Sequence, residues 1–372
     1  MAGFVPPPYP YERLAPLREA AAALPGGVID LSIGTPCDPP PPEAVQALSD
    51  ADAAQSYPPS IGTAAYRAAA VGWVRRRFDI DLPVGQVAAC VGTKELVAGV
   101  PGWLRLRTPE RDTVLYPEVA YPTYEMGAIL GGCRAVAVPV DDAWRLRLDA
   151  VSDEDAARAL CLWVNTPGNP AGGLDDLDAA ATWGRERGVP VFSDECYVEF
   201  TWKGPPRTIL ASGSDGVVAV HSLSKRSNFA GARLGFYAGD ADLVRYLSEV
   251  RKHVGLMPAG PVQAAGAWAW GDDAHVTTQK NRYRERLDLL RDGFEAAGLP
   301  VAEPGGAFYL WVEAPDGDAW SLAERLATVT GALVSPGEFY GEAGRGHVRV
   351  AAVQPVERLR TVVHRLLEAD RQ

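Results

Sequence analysis

A chain of 372 residues, 47% hydrophobic and 22% charged, holds enough apolar material for a large buried core and for division into two domains. Its 36 Lys and Arg against 47 Asp and Glu leave a net charge of −11, which disfavours nucleic acid or an anionic membrane surface as a partner. No apolar run approaches the roughly 20 residues that span a bilayer. The five cysteines, Cys37, Cys90, Cys133, Cys161 and Cys196, are scattered without a Cys-x-x-Cys pair. Neither a metal site nor a disulfide framework is implied, and a reducing cytoplasm fits.

Taken in chain order, residues 1–10 are Pro-rich and lack the charged and apolar regions of a signal peptide, so they read as an ordered arm or a frayed end. Short apolar runs then alternate with helical patterns. Runs at 87–90, 114–116, 135–140, 160–164, 189–192, 217–221 and 234–238 read as buried strands. Helical patterns such as 177–187 and 243–253 lie between some of them. This alternation predicts a mostly parallel sheet covered on both faces, an α/β architecture. After Gly271 the texture changes. Residues 273–297 read as a long linking helix that ends near Gly298, followed by strands at 307–312, 332–334 and 347–350 and helices at 321–330 and 356–368. That is the pattern of a smaller α+β domain.

Five segments carry chemistry. Val91-Gly92-Thr93-Lys94-Glu95-Leu96 follows an apolar run and opens a helix, an arrangement whose free backbone N–H groups form an anion site; Lys94 and Glu95 also read as ordinary first-turn residues. In Asn165-Thr166-Pro167-Gly168-Asn169-Pro170-Ala171-Gly172, two X-Pro steps impose an extended, rigid loop after a strand; a surface turn is the plainer reading. Val191-Phe192-Ser193-Asp194-Glu195-Cys196-Tyr197 puts a carboxylate at the C-terminal end of a buried strand, the edge where open α/β sheets bind ligands. A buried Asp194 needs a cationic partner, unless it caps the next helix. His221-Ser222-Leu223-Ser224-Lys225 through Gly231-Ala232-Arg233-Leu234-Gly235 suits a phosphate-bearing aldehyde. The Lys225 amine can condense with the aldehyde, while a hydroxyl and a guanidinium hold the phosphate; a solvated basic loop is the alternative. Last, His347-Val348-Arg349-Val350-Ala351 is an apolar strand with one cation, either turned inward or simply at the surface.

In this order the segments resemble class I/II aminotransferases, the fold type I group that depends on pyridoxal 5′-phosphate. The likeness runs from about Ile29 to Ala351. It implies Lys225 as covalent anchor and general acid/base, and Asp194 as the partner of the cofactor's pyridine nitrogen. Tyr197 and Asn169 would bond the phenolic oxygen; Thr93, Lys94, Ser222 and Arg233 would make further cofactor contacts. Arg349 would grip the substrate α-carboxylate, a two-pronged task suited to a guanidinium. The family loop usually reads Asn-Pro-Thr-Gly, and here Ala171 replaces the Thr. Gly34, in Asp30-Leu31-Ser32-Ile33-Gly34-Thr35-Pro36, matches the family glycine beside the substrate. Tyr57 matches the tyrosine that reaches a partner subunit's phosphate. Tyr121 matches the aromatic that stacks on the cofactor ring, with Tyr124 a competing choice.

The resemblance implies a large, mostly parallel-sheet, cofactor-binding domain (46–272), with one strand reversed, and a smaller α+β domain (273–372) completed by an N-terminal arm (1–45). It implies a cytoplasmic homodimer with shared active sites that acts on amino acids and keto acids by a ping-pong route. Stretches such as 31–39, 92–96, 193–197, 221–227, 251–255 and 336–341 are similar to actinobacterial succinyldiaminopimelate aminotransferases. The expected reaction is therefore amino transfer from glutamate to N-succinyl-2-amino-6-oxopimelate, in lysine and diaminopimelate biosynthesis. Another amino acid/keto acid pair or a C–S lyase would keep the same cofactor residues. A regulator built on this fold would carry an added DNA-binding domain, for which the position of Gly34 leaves no room.

Overall fold

The computed structural model describes residues 4–49 and 51–369, so residues 1–3 of the Pro-rich stretch lie outside the described residues. Two compact units form: one from residues 35–282 and 304–307, the other from the described residues of 1–34, 283–303 and 308–372. The strands, in chain order, are β1 (Ile29–Asp30), β2 (Val87–Cys90), β3 (Thr113–Pro117), β4 (Arg134–Val138), β5 (Ala159–Asn165) and β6 (Val191–Asp194). They continue with β7 (Val217–Ser222), β8 (Gly235–Gly239), β9 (Tyr309–Glu313), β10 (Ala332–Leu333), β11 (Ser335–Pro336) and β12 (His347–Ala351).

The larger unit holds a seven-stranded sheet in the order β2-β8-β7-β6-β5-β3-β4. Strands β3 to β7 pair in parallel, and β8 runs antiparallel to both β7 and β2. Every residue of β5, β6 and β7 is buried, as expected of strands covered on both faces. One core layer gathers Trp73, Leu162, Val164, Val191, Val217, Ala219, Phe236 and Trp270; the other gathers Val97, Val114, Tyr124, Trp163, Phe192, Val218 and Tyr237. Alternate residues of β5, β6 and β7 thus supply opposite layers, the period-two rule of a pleated strand.

Two strand boundaries differ from the sequence reading. The expected run 189–192 becomes Val191–Asp194 because Gly188, at φ 60°, ends the preceding helix and Val189 N–H returns to Gly184 O (2.8 Å). Asp194 is the last residue of the strand, the C-terminal position read for it from the sequence. The run 135–140 stops at Val138, where Pro139 has no N–H to continue a ladder.

In the smaller unit β1 pairs in parallel with β10, and β11-β12-β9 form an antiparallel sheet with Arg349 opposite Trp311. The expected strand 332–334 is β10, Ala332–Leu333, and a second short strand, β11, follows at Ser335–Pro336 in the other sheet. The helix Ala319–Thr330 packs against the helices Ala15–Ala22 and Val356–Ala369 through Leu17, Ala21, Leu322, Leu326, Leu359, Val362 and Leu366. Among the described residues no helix is long and apolar enough to cross a membrane, and no group of His, Cys, Asp and Glu is arranged to hold a metal ion.

Candidate active site

Four loops leave one end of the large sheet together. Asn165 pairs with Asp194 across β5 and β6, Asp194 with Val220 across β6 and β7, and Ser222 with Gly235, which also faces Cys90 of β2. The last residues of β2, β5, β6 and β7 therefore lie at one edge of the sheet, with Ser222 two residues beyond the position paired with Asp194, and the segments after them carry most of the residues singled out from the sequence.

Asp194 is 7% exposed. Its Oδ2 accepts from Tyr124 Oη (2.9 Å) and its Oδ1 from Cys196 N (3.2 Å). Burial pushes its carboxyl above the usual carboxylate range, and the bonds from Cys196 and Tyr124 pull it back. Tyr124 is fully buried and its ring stacks on Trp163 at 5.3 Å. Tyr121 is half-buried, with Lys94 Nζ 5.9 Å from its ring centroid. The two tyrosines, equivalent on sequence, thus separate: Tyr124 is committed to Asp194, and Tyr121 lies beside the helix that starts at Thr93.

Asn165 links two of the segments. Its Nδ2 donates to Asp194 O (2.9 Å), and its Oδ1 accepts from Asn169 N (2.8 Å). The sequence reading selected Asn169 and passed over Asn165. The signal available was that an Asn closes a wholly apolar strand, where a polar side chain must find partners. Asn169 and Tyr197 are both buried, and the peptide bonds preceding Pro167 and Pro170 are cis.

Ser222 ends β7 and caps a single turn of helix, Leu223–Arg226. Its Oγ accepts from Ser224 N (3.0 Å) and donates to Ser224 Oγ (2.9 Å). Lys225 is half-buried on this turn. The next residue, Arg226, is 2% exposed. It pairs with Glu199 (3.0 Å) and Asp273 (2.9 Å) and packs against Trp73 and Trp270. The turn bearing Lys225 is thereby tied to the interior through its neighbour.

The turn between β2 and the helix Thr93–Arg107 passes through Gly92 at φ 70°, and this helix start has no side-chain cap. A Cβ at Gly92 would lie 2.2 Å from Arg233 Nη2. Only glycine lets the guanidinium cross the turn so closely, and glycine also accepts the positive φ. Thr93 is half-buried, and its Oγ1 meets Cys196 Sγ at 3.4 Å. A helix N-terminus with uncapped amides, an arginine across it and a serine and lysine in the adjoining segment suit a phosphate. A buried carboxylate with neutral donors suits a protonated ring nitrogen. The residues fit pyridoxal phosphate.

Gly34 and Arg349 belong to the smaller unit. A Cβ at Gly34 would lie 2.0 Å from Tyr309 Oη. Arg349, 2% exposed, donates from Nη2 to Ser32 O (2.5 Å), with Tyr11 Oη at 3.4 Å. Its guanidinium carbon lies 4.3 Å and 4.7 Å from the ring centroids of Tyr309 and Tyr340. The inward reading of this arginine is the one the structure adopts. Tyr57, by contrast, is 96% exposed.

The family profile of aminotransferase class I and II matches residues 26–366. The chain belongs to this family and is a pyridoxal-phosphate-dependent aminotransferase of fold type I. Among curated relatives, the 4-dedimethylamino-4-oxo-anhydrotetracycline transaminase of Streptomyces rimosus is 41% identical over 368 residues, covering 97% of this chain and 99% of the relative. The LL-diaminopimelate aminotransferase of Aquifex aeolicus is 33% identical, covering 97% and 96%. A solved structure described as a probable N-succinyldiaminopimelate aminotransferase from Thermus thermophilus superposes with a TM-score of 0.88 at 30% identity, covering 96% of this chain and 99% of that one.

Proposed function

We propose that this aminotransferase takes its amino group from glutamate and delivers it to N-succinyl-2-amino-6-oxopimelate, with this edge of the large sheet as its cofactor site. The observation that carries the site assignment is that Asn165 and Asp194, paired with each other, and Ser222, two residues past Asp194's partner Val220, end their strands at one edge of the sheet, with Gly235 joining Ser222 to Cys90. When bound, pyridoxal phosphate supplies an electron sink and carries the amino group between the two substrates. Ser222, Thr93, Lys94 and Arg233, with the amides at the helix start, would hold its phosphate end. Asp194 would hold a proton on the ring nitrogen, Tyr197 and Asn169 would bond the phenolic oxygen, and Tyr121 would pack against the ring.

Lys225 Nζ would hold the aldehyde covalently and, freed when the substrate amine takes its place, would accept the substrate Cα proton as general base and give it back to carbon as general acid. Arg349 binds the α-carboxylate common to donor and acceptor. The exposed Tyr57 packs on a second copy and reaches its phosphate site, so the working form is a homodimer, placed in the cytoplasm. On this reading the cofactor domain spans 46–272, and the small domain 273–372 is completed by the arm 1–45.

The acceptor proposal draws support from the Aquifex and Thermus relatives, whose names carry diaminopimelate and N-succinyldiaminopimelate. The 41% identity to the Streptomyces transaminase favours a second reading, in which the acceptor is a polycyclic ketone. The experiment follows the cofactor's visible absorbance in purified protein. Glutamate should change it in wild type, and the succinylated keto acid should restore it. Lys225→Ala protein should show neither change. Restoration by 4-dedimethylamino-4-oxo-anhydrotetracycline and not by the succinylated acid would overturn the acceptor and leave the aminotransferase intact.

A further inference from the structure

Glu95 and Arg251 form a pair behind the turn at Gly92 that the cofactor roles above do not use. Glu95 lies in the first turn of the helix Thr93–Arg107, and its Oε1 accepts from Val91 N (2.8 Å), reaching back across Gly92. Both of its carboxylate oxygens also accept from Arg251 Nη1, each at 2.7 Å. The Arg251 side chain is fully buried, on the helix Ala241–Val254 that follows β8. Its Nη2 points to Ala89 O in β2 (3.4 Å), and its guanidinium carbon lies 5.7 Å and 5.6 Å from the ring centroids of Trp103 and Tyr237. One arginine therefore touches the strand before the turn and, through Glu95, the turn itself and the helix after it.

A carboxylate in the first turn opposes a second anion at the same helix start, because like charges at that terminus repel. A buried guanidinium cancels that charge where solvent does little screening. The bond to Val91 N also consumes the one amide on the strand side of Gly92, which leaves the following amides to aim outward. We propose that Arg251 is a positioning residue for the cofactor's phosphate: through Glu95 it fixes the Val91–Thr93 turn and neutralises the carboxylate beside it. The inference rests on the reading of that turn as the phosphate site.

The test compares pyridoxal phosphate with pyridoxal, which lacks the phosphate, by titrating the full-length apoprotein and following tryptophan fluorescence. Arg251→Met should weaken pyridoxal phosphate about ten- to a hundredfold, as loss of a charge-assisted contact does, and leave pyridoxal within about twofold. Adding Glu95→Gln to Arg251→Met should recover part of the loss, because the uncompensated charge is gone. Glu95→Gln alone keeps an acceptor for Val91 N–H and leaves Arg251 unneutralised, so it should raise the preference for the phosphorylated ligand. Should Arg251→Met fail to fold, that single variant decides: an unchanged or lower preference overturns the proposal. Equal weakening of both ligands by Arg251→Met, or no recovery in the double variant, also overturns it. Arg233→Ala is the control for the site. If it lowers the preference while Arg251→Met does not, only the role of Arg251 falls. If neither does, the phosphate reading itself falls.

Discussion

The separation of Tyr121 from Tyr124 has a consequence that can be measured. Tyr124 Oη donates to Asp194 Oδ2 at 2.9 Å, and the ring stacks on Trp163. Phenylalanine would keep the stack and lose only the donor. Burial already raises the Asp194 carboxyl, so losing a donor raises it further and weakens its hold on a ring proton. A hydrogen bond to a charged group contributes about 1.5–3 kcal/mol. Tyr124→Phe should accordingly lower kcat by about tenfold to a hundredfold, at about 1.4 kcal/mol per tenfold. Asp194→Ala should cost more, and the double variant should be no slower than Asp194→Ala alone, because Tyr124 acts through Asp194. A double variant slowed by the product of the two single effects would show that Tyr124 has a separate role.

At the scale of elements, Gly-x-Arg-x-Gly (Gly231 to Gly235) joins two glycines with different duties. Gly231 has no atom within 4 Å of a Cβ built on it, whereas a Cβ at Gly235 would lie 2.5 Å from His221 O and 3.1 Å from Cys90 Sγ. Gly235 is where β8 passes between β2 and β7. Gly235→Ala should cost about 1–3 kcal/mol by overpacking and release cofactor, while Gly231→Ala should do neither. Unfolding midpoints and retained visible absorbance of the two variants check this, and equal behaviour would refute it. All seven strands of the large sheet were legible as short apolar runs; β2, β5, β6, β7 and β8 are buried at every residue, and strands buried on both faces need unbroken apolar sequence, whereas the edge strand β4 is largely exposed or half-buried and shows only as a run of Ala and Val. The helices Leu177–Arg187 and Ala241–Val254 were legible too, since each buries one face. The helices Ala64–Phe78 and Gly260–Gly271 were not. They pack on one another, and Tyr66, Ala70, Trp73, Val74, Gln263, Ala265, Ala269 and Trp270 are all buried, but Ala64, Ala65, Ala68, Val71, Ala267 and Trp268 put apolar residues on the less buried faces too, so no polar face sets off the buried stripe. Lys225, Asp194 and Asn169 stood out because each sits in a short pattern at a strand end. Asn165, Tyr124 and Arg251 did not, because their roles come from partners 29, 70 and 156 residues away.

Over the whole molecule, stability should respond to pH through a buried pair next to the site. Glu195 and His221 have side chains 0% and 2% exposed, with Oε2 and Nε2 3.4 Å apart. Burial, offset in part by the bond from Ile209 N–H, pushes the Glu195 carboxyl from 4.5 up to about 8. Burial also pushes the His221 imidazole from 6.5 down to about 3, and the Arg226 charge adds to this. Both groups are therefore neutral in the folded protein near neutral pH. Between their unfolded values of 4.5 and 6.5, the folded state holds an extra proton on Glu195 and the unfolded state holds one on His221. The two contributions oppose each other and stability is level. Below 4.5 only His221 differs, so stability falls as pH drops toward 3. Above 6.5 only Glu195 differs, so stability falls as pH rises toward 8, by up to about 1.4 kcal/mol per pH unit. Asp175, raised from 3.8 to about 6 by burial, loses stability between those two values in wild type and variant alike, and adds nothing to the slope above 6.5. Glu195→Gln keeps a neutral side chain and removes the Glu195 contribution. The difference in unfolding midpoint between Glu195→Gln and wild type should move in the variant's favour from pH 6.5 to pH 8. A difference that stays constant over that range would mean that the folded state binds no extra proton at Glu195 above pH 6.5, and would refute the raised carboxyl.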